Sequence, residues 1–239
     1  MLARVRRRVT SDVRKMFLKV RNIPVTLSSE EYVVAYWYQS ANWGDALNPY
    51  LIERISGKKV VHVSEVFTCG RIPVYSVVGS ILGTYSSNNL VVWGSGFISH
   101  NRRLKRQPRQ ILAVRGPLTR RALIEQGYRC PEIYGDPALL LPWFIKPSTI
   151  EKKYKLGIVP HFIDNDSPYL DTLLASPEVC LIDICAGIHE VVDAIAKCEM
   201  VVSSSLHGII CADAYGVPSI WMKLSDRVIG GDFKFQDYF

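Results

Sequence analysis

Short runs rich in β-branched and aromatic residues alternate with helical segments from about residue 31 to the end of the chain, and this alternation limits the fold more than any other feature. Strands are expected at residues 32–37, 74–78, 90–93 and 111–114, with helices at 45–56 and 117–126. Pro142, Pro147, Ser148 and Thr149 then punctuate a break over 141–155, read as an interdomain linker. Beyond it, strands are expected at 156–160, 179–184, 200–203 and 219–222, and helices at 188–197 and 206–215. Strand and helix in turn predict parallel sheets, because each strand re-enters its sheet through a crossover. The expectation is an α/β chain in three parts: an arm over 1–30, an N-terminal α/β unit over 31–145 and a C-terminal α/β unit over 146–239. With 239 residues, 48% of them apolar, the chain can bury the cores these units need.

The net charge of +7 belongs to the arm. Arg4, Arg6, Arg7, Arg8, Arg14, Lys15, Lys19 and Arg21 face the single acid Asp12 there, and the rest of the chain balances to zero. Leu2, Val5, Val9, Val13, Met16, Phe17 and Val20 recur at three- and four-residue steps, so a helix would gather them on one stripe flanked by cations. Such a basic amphipathic N-terminal helix suits an anionic membrane surface or a partner, and it suits equally well packing on its own domain. Nucleic acid is not an expected partner. The apolar runs at 133–145 and 200–214 are broken by Gly, Ser, Asp, Pro or His, so neither reaches membrane-span length. Thr10, Ser11 and Asp12 interrupt any signal-peptide core. Cys69, Cys130, Cys180, Cys185, Cys198 and Cys211 show no zinc or disulfide spacing. A cytoplasmic protein with reduced thiols and no bound metal is expected, peripheral to the inner membrane face if the arm docks there.

Ligands of open α/β sheets bind where strands end and helices begin, because free N–H groups and positive helix ends face the crevice there. Five such turns are polar. In Asn42-Trp43-Gly44-Asp45, the carboxylate of Asp45 either caps the following helix or takes a proton from a hydroxyl, and Asn42 adds hydrogen bonds. Gly94-Ser95-Gly96 could bring bare amides against an anion. Arg115-Gly116-Pro117 places a guanidinium at a strand end, where it either grips a carboxylate or phosphate or pairs at the surface. In Gly135-Asp136-Pro137 the carboxylate either bonds its own backbone or orients a cation such as Arg115. The strongest turn runs Ser203-Ser204-Ser205-Leu206-His207-Gly208, where an apolar strand delivers three hydroxyls and an imidazole to a helix N-terminus.

Taken in order, Asn42-Trp43-Gly44-Asp45, Ala113-Val114-Arg115-Gly116-Pro117, Tyr134-Gly135-Asp136-Pro137 and the serine turn, with Ala212-Asp213-Ala214-Tyr215-Gly216-Val217-Pro218, resemble the polysaccharide pyruvyltransferase family from about Tyr36 to Phe239. The resemblance implies two Rossmann-like halves in a GT-B-like arrangement, acceptor side first and donor side second. It also implies phosphoenolpyruvate as co-substrate, no cofactor or metal in the chemistry, and a glycan acceptor, lipid-linked or polymeric. On this likeness Arg115 clamps the donor, His207 serves as acid or phosphate ligand, and Ser203, Ser204, Ser205, Gly94 and Ser95 complete an anion cradle. Asn42, Asp45 and Asp136 fall to the acceptor side, with Asp45 as base. The likeness departs at Ser205, where studied members carry an arginine, so one clamp is either missing or supplied from elsewhere, by Arg120, Arg121, Lys223 or Arg227. It also departs after Phe239, where members continue into closing helices, so the donor half is expected to be short. Two other functions fit the same pattern: a GT-B glycosyltransferase using a nucleotide sugar, and a non-catalytic member of an exopolysaccharide assembly.

Overall fold

A computed structural model describes residue 16 and residues 30–40, 42–67 and 72–239; the basic amphipathic arm, apart from Met16, and Cys69 lie outside these. Two wholly parallel sheets carry the chain. The first holds β1 (Tyr32–Ala35), β2 (Lys59–His62), β3 (Val74–Ser76), β4 (Leu90–Trp93) and β5 (Gln110–Ala113) in the order β2-β1-β3-β4-β5. The second holds β6 (Tyr154–Val159), β7 (Val179–Leu181), β8 (Cys198–Ser203) and β9 (Ser219–Trp221) in the order β7-β6-β8-β9. Among residues 30–239 the described helices are α1 (Trp43–Ser56), α2 (Pro117–Glu125), α3 (Tyr169–Leu173), α4 (Ile188–Ala196), α5 (Leu206–Ala214) and α6 (Phe233–Tyr238). The α/β expectation therefore holds. The edge strand β2 and the short helices α3 and α6 are additions to it.

In each sheet the strand order reverses once, between β1 and β3 in the first and between β6 and β8 in the second. Such reversals open a crevice at the carboxyl ends of the strands, because the two connections leave in opposite directions.

The units are not separate cores. Trp43, Leu47 and Leu51 of α1 pack in one cluster with Ile182, Ile184, Val191, Ile195 and Ile209 of the second unit. The Trp43 backbone N–H donates to the Ile184 carbonyl at 3.0 Å, and its indole N–H donates to the Ile188 carbonyl at 3.3 Å. The segment read as a linker contributes as well: Leu141 and Ile145 are buried in the shared cluster, and the Tyr215 hydroxyl donates to the Ile145 carbonyl at 3.1 Å.

Asn48 ties α1 to the first sheet. Its buried amide donates to the Val78 carbonyl at 3.2 Å and accepts from the Val78 N–H at 2.9 Å, which satisfies a strand end that β3 leaves unpaired. The last helix is tied by a buried ion pair. Asp237 of α6 accepts from Arg115 Nε at 3.0 Å and Nη2 at 2.8 Å, and from the Thr119 N–H and hydroxyl, each at 2.6 Å. Both side chains are fully buried. Gly116 makes room for this contact, since a Cβ there would lie 1.4 Å from the Asp237 carbonyl oxygen.

Removing one partner leaves the other charge buried and alone. Asp237→Ala should therefore lower unfolding stability by about 3–5 kcal/mol in urea titrations. The double change Arg115→Met with Asp237→Leu should recover most of that loss, and a double variant as unstable as the single one would contradict this account.

Candidate functional site

The crevices of the two sheets meet in one cavity of about 290 Å³. Tyr38, Ser40, Asn42 and Asp45 enter it from the end of β1, and Gly79, Ser80 and Ile81 from the end of β3. His161, Phe162 and Ile163 follow β6, while Ser205, Leu206 and His207 follow β8. Lys234 of α6 completes the wall with Ile98 and Ile229.

Two helix N-termini converge here. Asn42 is the N-cap of α1, its Oδ1 accepting from the Gly44 N–H at 3.0 Å. The cap is thus supplied by Asn42, and Asp45 is free for another task. Ser205 is the N-cap residue of α5. His207, in the first turn of α5, lies directly on Gly44, in the first turn of α1. A Cβ on Gly44 would stand 2.1 Å from the imidazole Cε1 and 2.2 Å from Nδ1. Glycine is needed there because only a bare backbone lets the ring sit so close. The His207 Nε2 is enclosed and has no hydrogen-bond partner among the described residues.

The charges in the cavity follow from burial. His207 is held neutral, its pKa pulled down to about 3 by desolvation first and then by Lys234, Arg115 and His161. His161 is pulled down to about 4 by burial and Lys234. Asp45 moves the other way, up to about 6, because desolvation outweighs the hydrogen bond it accepts from the Ser40 hydroxyl.

Asn42, Asp45, Ser205 and His207 are brought together as expected residues of one site. The others stand behind it. Ser203 bonds the Val159 carbonyl at 2.7 Å and the Ser205 carbonyl at 2.8 Å. Ser204 donates to Asp164 Oδ2 at 3.0 Å and accepts from the His161 N–H at 2.8 Å, so it positions His161. Ser95 is buried against the Ser76 hydroxyl at 2.8 Å. Gly94 is packed on Pro137, where a Cβ would lie 2.2 Å from Cδ. Asp136 is buried as the N-cap of a 3₁₀ turn over Pro137–Trp143, Oδ1 accepting from the Ala138 N–H at 3.0 Å, and its pKa rises to about 6 by desolvation.

Arg115 is the largest departure. Its guanidinium was expected to grip a ligand, yet it is spent on Asp237, on the Phe97 carbonyl at 2.7 Å and on the Ser80 hydroxyl at 2.5 Å. Of these partners, Ser80 is the one that lines the cavity. None of the expected substitute cations lines the cavity either. Arg120 faces Glu132 at 3.9 Å, Lys223 pairs with Asp226 at 2.7 Å, Arg227 pairs with Asp166, and Arg121 is exposed.

Sequence reasoning missed Ser80, His161 and Lys234. The available signal was the lysine between two aromatics, Phe233-Lys234-Phe235, which marks a cation carried into an apolar setting. Among the described residues no group of three His, Cys, Asp or Glu is placed to hold a metal ion, and no helix is long and apolar enough to cross a membrane. The five described cysteines are free thiols, with Cys180 Sγ and Cys198 Sγ 3.5 Å apart.

Residues 67–226 match the family model of polysaccharide pyruvyl transferase. The chain is 33% identical over 217 residues to the uncharacterized protein L143 of Acanthamoeba polyphaga mimivirus, covering 87% of this chain and 74% of that protein. It is 29% identical over 208 residues to the succinoglycan biosynthesis protein ExoV of Rhizobium meliloti (strain 1021), covering 85% of this chain and 62% of that one.

The seat of the imidazole is testable without any substrate. Gly44→Ala should push the His207 ring off α1, and its pKa should climb from about 3 toward the ordinary 6.5. A side-chain NMR titration that leaves this resonance neutral to pH 4 or so in the variant would refute the steric account.

Proposed function

We propose that this chain, which belongs to the polysaccharide pyruvyl transferase family, moves the three-carbon unit of phosphoenolpyruvate onto a sugar of a surface polysaccharide as a cyclic ketal, using the cavity around His207. The observation that carries this reading is the imidazole of His207 in the wall of a cavity where two helix N-termini converge, a setting suited to an anion with a reacting group beside it. The size of the cavity also favours a small donor. At about 290 Å³ it lies at the lower end of the roughly 300–1,000 Å³ usual for ligand sites, a better match to a phosphorylated three-carbon acid than to a nucleotide sugar. The exopolysaccharide setting is supported by the similarity to a succinoglycan biosynthesis protein. We read the two α/β units as a GT-B-like pair that meet at the cavity.

The perturbed groups fit opposite duties from those first expected of them. Below about pH 6 Asp45 carries a proton, and at neutral pH it still does so in part, so it is the acid that protonates the methylene carbon of the enol. His207 is neutral, so it is the base that takes the proton of the first sugar hydroxyl as its oxygen bonds to the adjoining carbon. The carbon–oxygen bond to phosphate then breaks, with the imidazolium returning its proton to the leaving phosphate. The second hydroxyl closes the ring and gives its proton back to Asp45. Two hydroxyl protons are thus consumed, one by the new methyl group and one by phosphate. Asn42 and Ser40 hold the acid and its helix turn in place. Residues 1–21 are proposed to bring the enzyme to lipid-linked acceptors on an anionic membrane.

Incubation with phosphoenolpyruvate and an acceptor glycan should release inorganic phosphate and add one pyruvyl unit to the glycan by mass. Release of a nucleoside diphosphate from a nucleotide sugar would overturn the reading. His207→Ala and Asp45→Asn should each lower kcat by about 100-fold or more. With Asp45 as the acid, kcat should decline as pH rises through the Asp45 pKa, about 6 in the free cavity and higher once a dianion is bound. A kcat that instead rises over that interval would reverse the two assignments.

A further inference from the structure

Lys234 carries a charge that the protein does not compensate. It is 7% exposed and lines the cavity with Asp45, Ser80, His161 and His207. Among the described residues it enters no ion pair, and its one direct contact of a polar kind is with the ring of its neighbour Phe235, 5.3 Å from the centroid. The carboxylate whose field reaches it, Asp164, is already engaged by the hydroxyls of Ser204 and Ser225. Its other charged or titratable neighbours by field are Arg115, His161 and His207, each cationic or neutral. A cation held at such low exposure without a partner is costly, and an anion bound beside it would relieve that cost.

The helix that bears Lys234 is placed with care. Asp237, one turn along, is locked to Arg115 and Thr119, while Phe235 stacks on Trp221 at 4.6 Å and 17°. These ties hold the lysine in the wall of the cavity that Ser205 and His207 of the α5 N-terminus also line, and Ser205 brings no charge of its own. Arg115 therefore serves the cavity as a positioning residue, through Asp237.

We propose that Lys234 is the cation that binds the phosphoryl group of the donor, working with the α5 N-terminus and the neutral imidazoles of His161 and His207. This rests on the reading of the cavity as the phosphoenolpyruvate site. An ammonium is a point charge without the planar fork that matches a carboxylate, and a phosphoryl group with charge on three oxygens suits it better. Its pKa, lowered to about 8 by burial and Arg115, leaves it charged at neutral pH and responsive to a bound anion.

The full chain carrying Lys234→Met keeps the aliphatic stem and loses the charge. Its KM for phosphoenolpyruvate, and the inhibition constant of inorganic phosphate competing with it, should both rise by about 10- to 100-fold, with the thermal midpoint close to that of the parent. Lys234→Arg should restore much of both. A KM within twofold of the parent, or a KM that rises while phosphate inhibition is unchanged, would overturn the assignment. Should the methionine variant fail to fold, acetylation of Lys234 in the parent protein, followed by mass spectrometry, provides the same test: phosphate should slow it, and equal rates with and without phosphate would refute the proposal. A parent protein that binds neither phosphoenolpyruvate nor phosphate would instead remove the underlying reading of the cavity.

Discussion

The ion pair between Arg115 and Asp237 holds together more of this molecule than its two side chains suggest. It joins the end of β5 to the last helix, satisfies the N–H and hydroxyl of Thr119, and spans 122 positions in sequence. Because both groups are fully buried, their attraction largely offsets desolvation and adds little net stability, whereas the loss of either is severe. What the pair supplies is placement. The last helix has only six residues, too few to stand without tertiary contacts, and it brings Phe235 into the shared core and Lys234 into the cavity.

The second constraint is steric. Glycines at 44, 96 and 116 let the imidazole of His207, the guanidinium of Arg115 and the carbonyl of Asp237 approach backbone that a Cβ would block. Each glycine lies in one of the polar turns of the sequence. Their shared role is close approach within the protein, and only Gly44 does so at the surface of the cavity. Burial of the His207 ring, more than the nearby charges of Lys234 and Arg115, keeps the imidazole neutral.

The parallel α/β architecture was legible because strand and helix patterns alternate cleanly, and most strand positions agree within two or three residues. The edge strand β2 was hidden because Lys58 and Lys59 lead into it and it is four residues long. The last helix was hidden because six residues show no periodicity. Within the site, Asn42, Asp45, Ser205 and His207 were readable as polar residues at strand-to-helix turns. Arg115 was readable as functional in type but not in direction. Composition marks a guanidinium at a strand end, and nothing local says that its partner is Asp237 at the far end of the chain. His161 and Lys234 were not readable for the same reason: their roles come from elements distant in sequence that meet at one cavity.

Trp43 gives the two halves a common fate. It begins the first helix of one α/β unit, while its backbone and indole N–H groups are both bonded to carbonyls of the other. The units are therefore not interchangeable modules, although each has its own sheet. Exchanging one half with that of a relative would carry over strands and helices intact, but would leave an indole facing a surface shaped for another side chain. Change in one half is thus restrained by the other at the very turn that seats His207.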